Sequence, residues 1–415
     1  MDGKMSESKM RFMSCKGKTW SDTLGDLGVF YGGLSGKKSE DFNKGSDEYI
    51  TYMNVYKNFV AKRSGTDNVS IKCGEKQNRV LKGDIVFTQS SETPDEVGLC
   101  SLWPYEDSVY LNSFCFGFRL RDKSRVNPRF LTYLLRSPKY RRIFYREAQG
   151  ISRYNISQGR VSNILVTVPE EREQEKIAAF FSTIDEMISL SELRLETLEK
   201  FRKEMKRKIF NQELRFKDRG DGEFPAWKYE KIANLCKCFA GGTPSTRNAE
   251  YWENGTIPWL SSGEISQEIV TSTEKRITEE GYRNSSTKMI KPNSVLIALA
   301  GQGSTRGKVA LTKIALCSNQ SIAAVEPNEA LSSEFLYHYL STQYSNLRLI
   351  SDGGGGRGGL NLKLINGFQV PVPCIEEQEK IAEFLSLVDS EISSVKEATN
   401  KLNLLKQGFM QQMFV

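Results

Sequence analysis

The 415-residue sequence holds one histidine, His338. That scarcity rules out a histidine-rich metal site and makes any Ser-His or Cys-His pair depend on a single side chain. His338 lies in the apolar run Phe335–Leu340, where a histidine on a helix face beside a core is expected. No apolar run approaches the length of a membrane span. The stretch from Met1 to Thr19 is polar and lysine-bearing, without the apolar centre of a secretory signal. A cytoplasmic protein with no membrane partner is therefore expected. The eight cysteines are scattered, and only Cys236 and Cys238 stand close. A lone C-x-C pair is a weak metal signal, so free buried thiols in a reducing compartment are expected. The usual catalytic signatures are missing too: no G-x-S-x-G, no H-E-x-x-H, and no G-x-G-x-x-G after a strand. Gly301–Lys308 fails as a phosphate loop, having one residue too many before its Gly-Lys pair and Val309 after it. Acidic pairs on the helices read as solvated faces. The expectation is a non-catalytic chain with no cofactor and no metal.

What the sequence does have is a long internal repeat. Val168-Pro169 leads into Gln174-Glu175-Lys176-Ile177-Ala178, then Phe180, Ser182, Ile184 and Asp185. A step of 204 residues later, Val372-Pro373 leads into Gln378-Glu379-Lys380-Ile381-Ala382, then Phe384, Ser386, Val388 and Asp389. A period this long means a duplicated half-molecule rather than a solenoid. Each copy carries a heptad seam. In the first it runs Ile177, Phe181, Ile184, Ile188, Ser191, Leu195, Leu198, Arg202, Met205 and Ile209. In the second it runs Ile381, Leu385, Val388, Ile392, Val395, Thr399, Leu402, Lys406, Phe409 and Met413. A 3.5-residue apolar repeat of this length is a coiled-coil seam, and the two copies share the basic breaks Arg202 and Lys406. Two similar halves, each a domain followed by a helix, are most simply related by an approximate two-fold axis, which makes the helices antiparallel.

Net charge is +7, unevenly placed: residues 1–168 carry +9, 169–224 carry −2, 225–371 carry +3 and 372–415 carry −3. Positive globular segments joined by slightly acidic helices fit a polyanion on the first and protein on the second.

Along the chain, Arg11-Phe12 corresponds to Arg215-Phe216, and Trp20 to Trp227. Phe30-Tyr31-Gly32-Gly33 corresponds to Phe239–Pro244, whose paired glycines permit close backbone approach and place Thr243 beside them. Tyr49–Tyr52 corresponds to Thr256–Ser262, which ends in Ser261 and Ser262. Strands are expected at Ile85–Phe87 and Val295–Ala298. Each runs into a polar loop: Thr88–Gly98, with Ser90 and Ser91, and Gly301–Lys308, with Ser304, Thr305, Arg306 and Lys308. Helices are expected at Phe130–Leu135 and Phe335–Leu340. Each half closes with an irregular loop, Gly150–Asn155 with Arg153, Tyr154 and Asn155, or Gly353–Gly359 with Arg357. Arginine and asparagine can read guanine and adenine edges bidentately, and a glycine-rich loop with cations can meet phosphate. These side chains are the candidate DNA-binding set. The fold class expected is α+β: two pseudo-repeated α/β domains separated by two long antiparallel coiled-coil helices.

The twin Val-Pro…Gln-Glu-Lys-Ile-Ala…Phe…Asp helices, the Arg-Phe lead-ins, Trp20 and Trp227, and the terminal Gln411-Gln412-Met413-Phe414 together resemble the specificity subunit of type I restriction–modification systems. The resemblance covers essentially the whole chain. It implies two target-recognition domains, residues 1–168 and 213–371, with spacer helices in 169–212 and 372–415. It implies a two-part asymmetric target in double-stranded DNA, two methyltransferase subunits as partners, and restriction subunits in the larger complex. The Thr88–Gly98 loop departs from the pattern, lacking the glycine-rich form of its counterpart. Two other classes compete: a self-contained nuclease or methyltransferase, which would need a catalytic motif, and a helical scaffold that never touches DNA, which would leave the charge segregation unexplained.

Overall fold

The computed structural model describes residues 18–301, 303–352 and 359–414. The lead-in Arg11-Phe12 and Arg357 lie outside the described residues. The chain divides into two units, residues 1–192 with 397–415, and residues 193–396. Each unit is one globular domain plus half of each long helix, and both helices, Glu171–Phe210 and Ile375–Met413, run through both units.

In the first unit a four-stranded antiparallel sheet runs in the spatial order Gly28–Gly32, Cys115–Leu120, Ile85–Thr88, Cys100–Leu102. The expected strand Ile85–Thr88 sits at its centre, buried on both faces, which is why it reads as an unbroken apolar run. In the second unit the same order recurs as Cys236–Ala240, Ile322–Pro327, Val295–Ala298, Val309–Thr312, with the short Ile269–Val270 added at the edge. Both central strands start from a turn that needs a left-handed residue: Gly83 at φ +84° and Asn293 at φ +61°. The glycine pairs also act as expected. A Cβ on Gly33 would lie 2.1 Å from the Asn112 carbonyl oxygen, and one on Gly241 2.1 Å from that of Ser318.

A second small sheet accompanies each domain. Phe42–Ile50 lies parallel to Tyr110–Leu111 in the first, and Ile257–Leu260 lies parallel to Cys317–Ser318 in the second. The expected helices form at Pro128–Leu135 and Ser333–Thr342, packed into the main core of their own unit. Cys236 and Cys238 share one face of a strand and pack against that core, and burial pushes their thiols up to about 12 and about 11.

The long helices are antiparallel. In the first unit Phe180 meets Phe409 and Asp185 meets Lys406. In the second, Phe201 meets Phe384 and Arg202 meets Asp389. Every seam position is buried or half-buried. The two basic breaks are answered across the seam, Lys406 Nζ to Asp185 at 2.5 Å and Arg202 to Asp389 at 2.9 Å. Adding the 204-residue step to Arg202 and subtracting it from Asp389 turns one pair into the other, so the same contact occurs once in each unit.

The repeated glutamines are clamps. Gln174 accepts from the backbone N–H of Asn127 at 2.8 Å and donates to the carbonyls of Pro169 and Arg125. Gln378 accepts from Ser332 N–H at 2.8 Å and donates to Pro373 and Ala330. Each buried amide thus ties a spacer helix to the start of its domain's helix. Gln174→Ala or Gln378→Ala strands several buried backbone groups, so each is expected to cost about 1–3 kcal/mol in urea denaturation. A loss under about 0.5 kcal/mol at both sites would mean that water takes over these bonds.

Candidate nucleic-acid interface

Antiparallel register brings the described candidate loops of each domain to one end of its sheet. In the first domain, Gln89 N–H bonds to the Phe114 carbonyl and Ile156 N–H to the Gln89 carbonyl. In the second, Leu299 N–H bonds to the Ser321 carbonyl and Leu360 N–H to the Leu299 carbonyl. The two ladders are equivalent rung for rung. In the sequence, Arg153 and Arg357 each stand three residues before the residue at this rung, Ile156 or Leu360.

In the first domain Ser90–Ser91 pairs antiparallel with Tyr154–Asn155, so four candidates stand together. Ser90 and Ser91 are buried and shape the loop: Tyr52 donates to the Ser90 carbonyl, and Ser91 donates to Glu96 at 2.6 Å. That bond, seconded by Tyr56, holds the Glu96 carboxyl below its usual range. Arg153 and Asn155 are exposed, and the Arg153 guanidinium lies over the half-exposed Phe114 ring at 5.3 Å. Gly150, at φ +141°, makes the sharp turn in front of them, where a Cβ would strike the Arg153 carbonyl oxygen at 2.0 Å.

In the second domain Thr243 donates to Gln320 at 2.6 Å, and Asn319 reaches Ser262 at 3.5 Å. Ser261 caps a short helical turn with Glu264, as Thr51 caps Tyr52–Lys57 in the first domain. The hairpin with Ser304, Thr305, Arg306 and Lys308 leaves the same sheet end. Arg348 donates to the Gly303 carbonyl at 2.7 Å and Tyr344 to the Ser304 carbonyl at 3.1 Å. The Thr88–Gly98 loop is held in the same way despite its different sequence, by Arg141 donating to the carbonyls of Asp95 and Val97 at 2.7 and 2.6 Å. Burial brings the Arg141 guanidinium down to about 10. Lys308 also lines a cleft of about 1360 Å³ with Lys203, Lys206 and Tyr344.

Sequence reasoning passed over several neighbours. Arg142 and Arg146 are exposed on the helix Pro138–Glu147, which leads into the Arg153 loop. Their signal was legible: Tyr140 and Phe144 are the buried face, leaving these arginines outside. Asn319 and Gln320 gave no signal, since only strand pairing brings them to Thr243 and Ser262.

One constellation looks catalytic and is structural. His338 Nε2 lies 3.2 Å from Ser386 Oγ, and its Nδ1 is 3.8 Å from Asp389, too far for a hydrogen bond. Burial, then the cations Lys206, Arg202 and Lys313, push the imidazole down to about 2. It is neutral and too weak a base to take a serine proton near neutral pH. The matching place in the first unit holds Tyr133, donating to Asp185 at 2.6 Å, so both are ties between domain and helix.

The family described as "Type I restriction modification DNA specificity domain" matches residues 18–200 and 226–404, one match per half. The chain belongs to this specificity family. The Escherichia coli "Type I restriction enzyme EcoR124I/EcoR124II specificity subunit" is 36% identical over 211 residues, 49% of this chain and 50% of that protein. The chain thus spans half the length of that relative. The "Putative type I restriction enzyme MjaX specificity subunit" of Methanocaldococcus jannaschii is 24% identical over 80% of this chain and 77% of that one. The solved "Type-I restriction-modification system S subunit from M. genitalium" shares the fold, with TM-score 0.67 at 18% identity over 99% of both chains. Among the described residues, no helix of this specificity-family chain is long and apolar enough to cross a membrane.

Proposed function

We propose that this chain reads a two-part, asymmetric site in double-stranded DNA, one half per globular domain, and performs no chemistry on it. The observation that carries the reading is the equivalence of the two backbone ladders, Phe114–Gln89–Ile156 and Ser321–Leu299–Leu360. The ladder through Gln89 and Ile156 presents Arg153, Tyr154 and Asn155 in the first domain, and the same ladder recurs in the second through Leu299 and Leu360, with Arg357 three residues before Leu360 in the sequence. A shared scaffold with diverged side chains is what two different half-sites require. Arg153 and Arg357 are proposed as base or phosphate contacts, Arg142 and Arg146 as phosphate contacts, and the Ser304–Lys308 hairpin as a second approach to the backbone. The acidic helices offer one similar docking face per half, which suits two methyltransferase subunits, with restriction subunits joining in the larger complex. The cytoplasm is the proposed place of this work.

The test is a mobility-shift titration of the chain with its methyltransferase subunits on duplexes carrying either half-site scrambled. Arg153→Ala is expected to weaken binding by about 1–3 kcal/mol, roughly 10- to 100-fold, and to relax preference in one half-site only. Unchanged affinity and preference for both Arg153→Ala and Arg357→Ala would return these loops to plain connectors. No DNA binding by the assembled complex would favour the scaffold reading.

A further inference from the structure

The two seam cations do more than cross the helix pair. Lys406 Nζ, while paired with Asp185, lies 3.4 Å from the centroid of the Phe59 ring. Arg202, while paired with Asp389, donates to Glu268 at 2.9 Å. Phe59 and Glu268 occupy one and the same place in their domains. The Phe59 carbonyl accepts from Leu102 N–H at 2.9 Å, and the Glu268 carbonyl accepts from Leu311 N–H at 2.8 Å. Leu102 pairs with Ile85, and Leu311 with Val295, the first residues of the two central strands. Beside the Tyr133 and His338 ties and the glutamine clamps, each domain thus meets the helix pair in one matching contact: a cation from one helix, an aspartate from the other, and Phe59 or Glu268 of the domain.

The chemistry of this contact differs between halves. Lys406 is buried over an aromatic face, a cation–π contact largely out of reach of salt. Glu268 is half-exposed, so its pair with Arg202 is open to screening. Glu268 also stands at φ +63° and ψ −55°, a conformation that L-residues rarely adopt. Its two tethers, at the carbonyl and at the carboxylate, are what hold it there.

We propose that Lys406–Phe59 and Arg202–Glu268 are positioning latches that fix each domain on the spacer helices. The ionic latch of the second half is the adjustable one, setting how strictly the gap between half-sites is read. This rests on the bipartite reading above. Phe59, Glu268, Arg202 and Lys406 act through the placement of the domain, not by touching bases.

The experiment measures binding of the full chain with methyltransferase subunits to duplexes whose gap changes one base pair at a time. Glu268→Ala keeps the Arg202–Asp389 pair, so the helices stay joined. Its penalty for a gap one base pair off is expected to fall at least threefold relative to the parent, with base preference in both half-sites unchanged. Glu268→Gln, which keeps an acceptor oxygen, restores most of the discrimination. High salt loosens the parent toward Glu268→Ala but has little further effect on that variant. An identical gap profile for Glu268→Ala and parent overturns the latch. If the parent itself shows no gap preference, the bipartite reading fails instead, and amide exchange without DNA decides the latch. In that case Glu268→Ala should speed exchange at least fivefold in both 200–210 and 265–270, and unchanged exchange in both overturns it.

Discussion

Replacing Glu377 by alanine is expected to destabilise the second unit by about 3–5 kcal/mol, among the largest losses a single side chain here can cause. Glu377 is fully buried in the first turn of the second long helix. It accepts from Arg215 Nε at 3.1 Å, from the Arg215 terminal nitrogen at 2.8 Å, and from Trp227 Nε1 at 2.9 Å. Truncation leaves a guanidinium and an indole N–H facing each other across a void. Arg215 is a quarter exposed and can recover some hydration, which favours the lower end of the range. Trp227 is buried and cannot. Glu377→Gln keeps an acceptor but loses the charge, and is expected to cost about half as much, in line with the smaller worth of neutral hydrogen bonds. Equilibrium urea denaturation of the two variants beside the parent checks both values. A loss below about 1 kcal/mol for Glu377→Ala would show that this clamp is replaceable.

Glu377 also shows where the sequence could and could not be read. The long helices, their shared seam and their antiparallel sense were legible, because a heptad repeat is a direct image of the surface it buries. That Arg215, Trp227 and the acidic start of the helix recur for a common reason was not. The three meet only after the domain has folded back on its own helix, and pattern carries no distance. The repeated Gln174 and Gln378 stood out as motif and acquired a role only as backbone clamps. His338 was rightly placed beside a core, though its approach to Ser386 and Asp389 comes from a neighbouring helix.

The candidate site divides along the same line. The match between the Arg153 loop and the glycine-rich segment rests on order along the chain, and most of the second segment lies outside the described residues. The kinship of the Thr88–Gly98 loop with its counterpart was not legible, because the two differ in composition. The shared feature is a helix arginine, Arg141 or Arg348, that grips the loop by its carbonyls, and a carbonyl grip leaves the loop's own side chains free to vary. Ser90 and Ser91 were legible as loop residues but not as buried ones, because their burial depends on the partner strand Tyr154–Asn155.

If the helices act as the ruler between the two proposed DNA-reading domains, lengthening them changes the preferred gap. Whole heptads must go into both helices at facing positions, after Leu198 and after Glu391, or one helix will loop out while the seam slips. One heptad per helix adds about 10 Å, about three base pairs at roughly 3.4 Å each. Three base pairs also turn the duplex by about 100°, given roughly 10.5 per turn, so the second half-site rotates away from its domain. The one-heptad variant is therefore expected to prefer a gap about three base pairs longer, with binding weakened tenfold or more. Three heptads add about 32 Å, close to a full turn of about 34 Å, and should bring the half-sites back into phase. The measurement is a selection of preferred gap from a library of duplexes with both half-sites fixed. The three-heptad complex is expected to select gaps about nine or ten base pairs longer, at near-parental affinity. A folded three-heptad variant that still selects the parental gap would contradict the ruler.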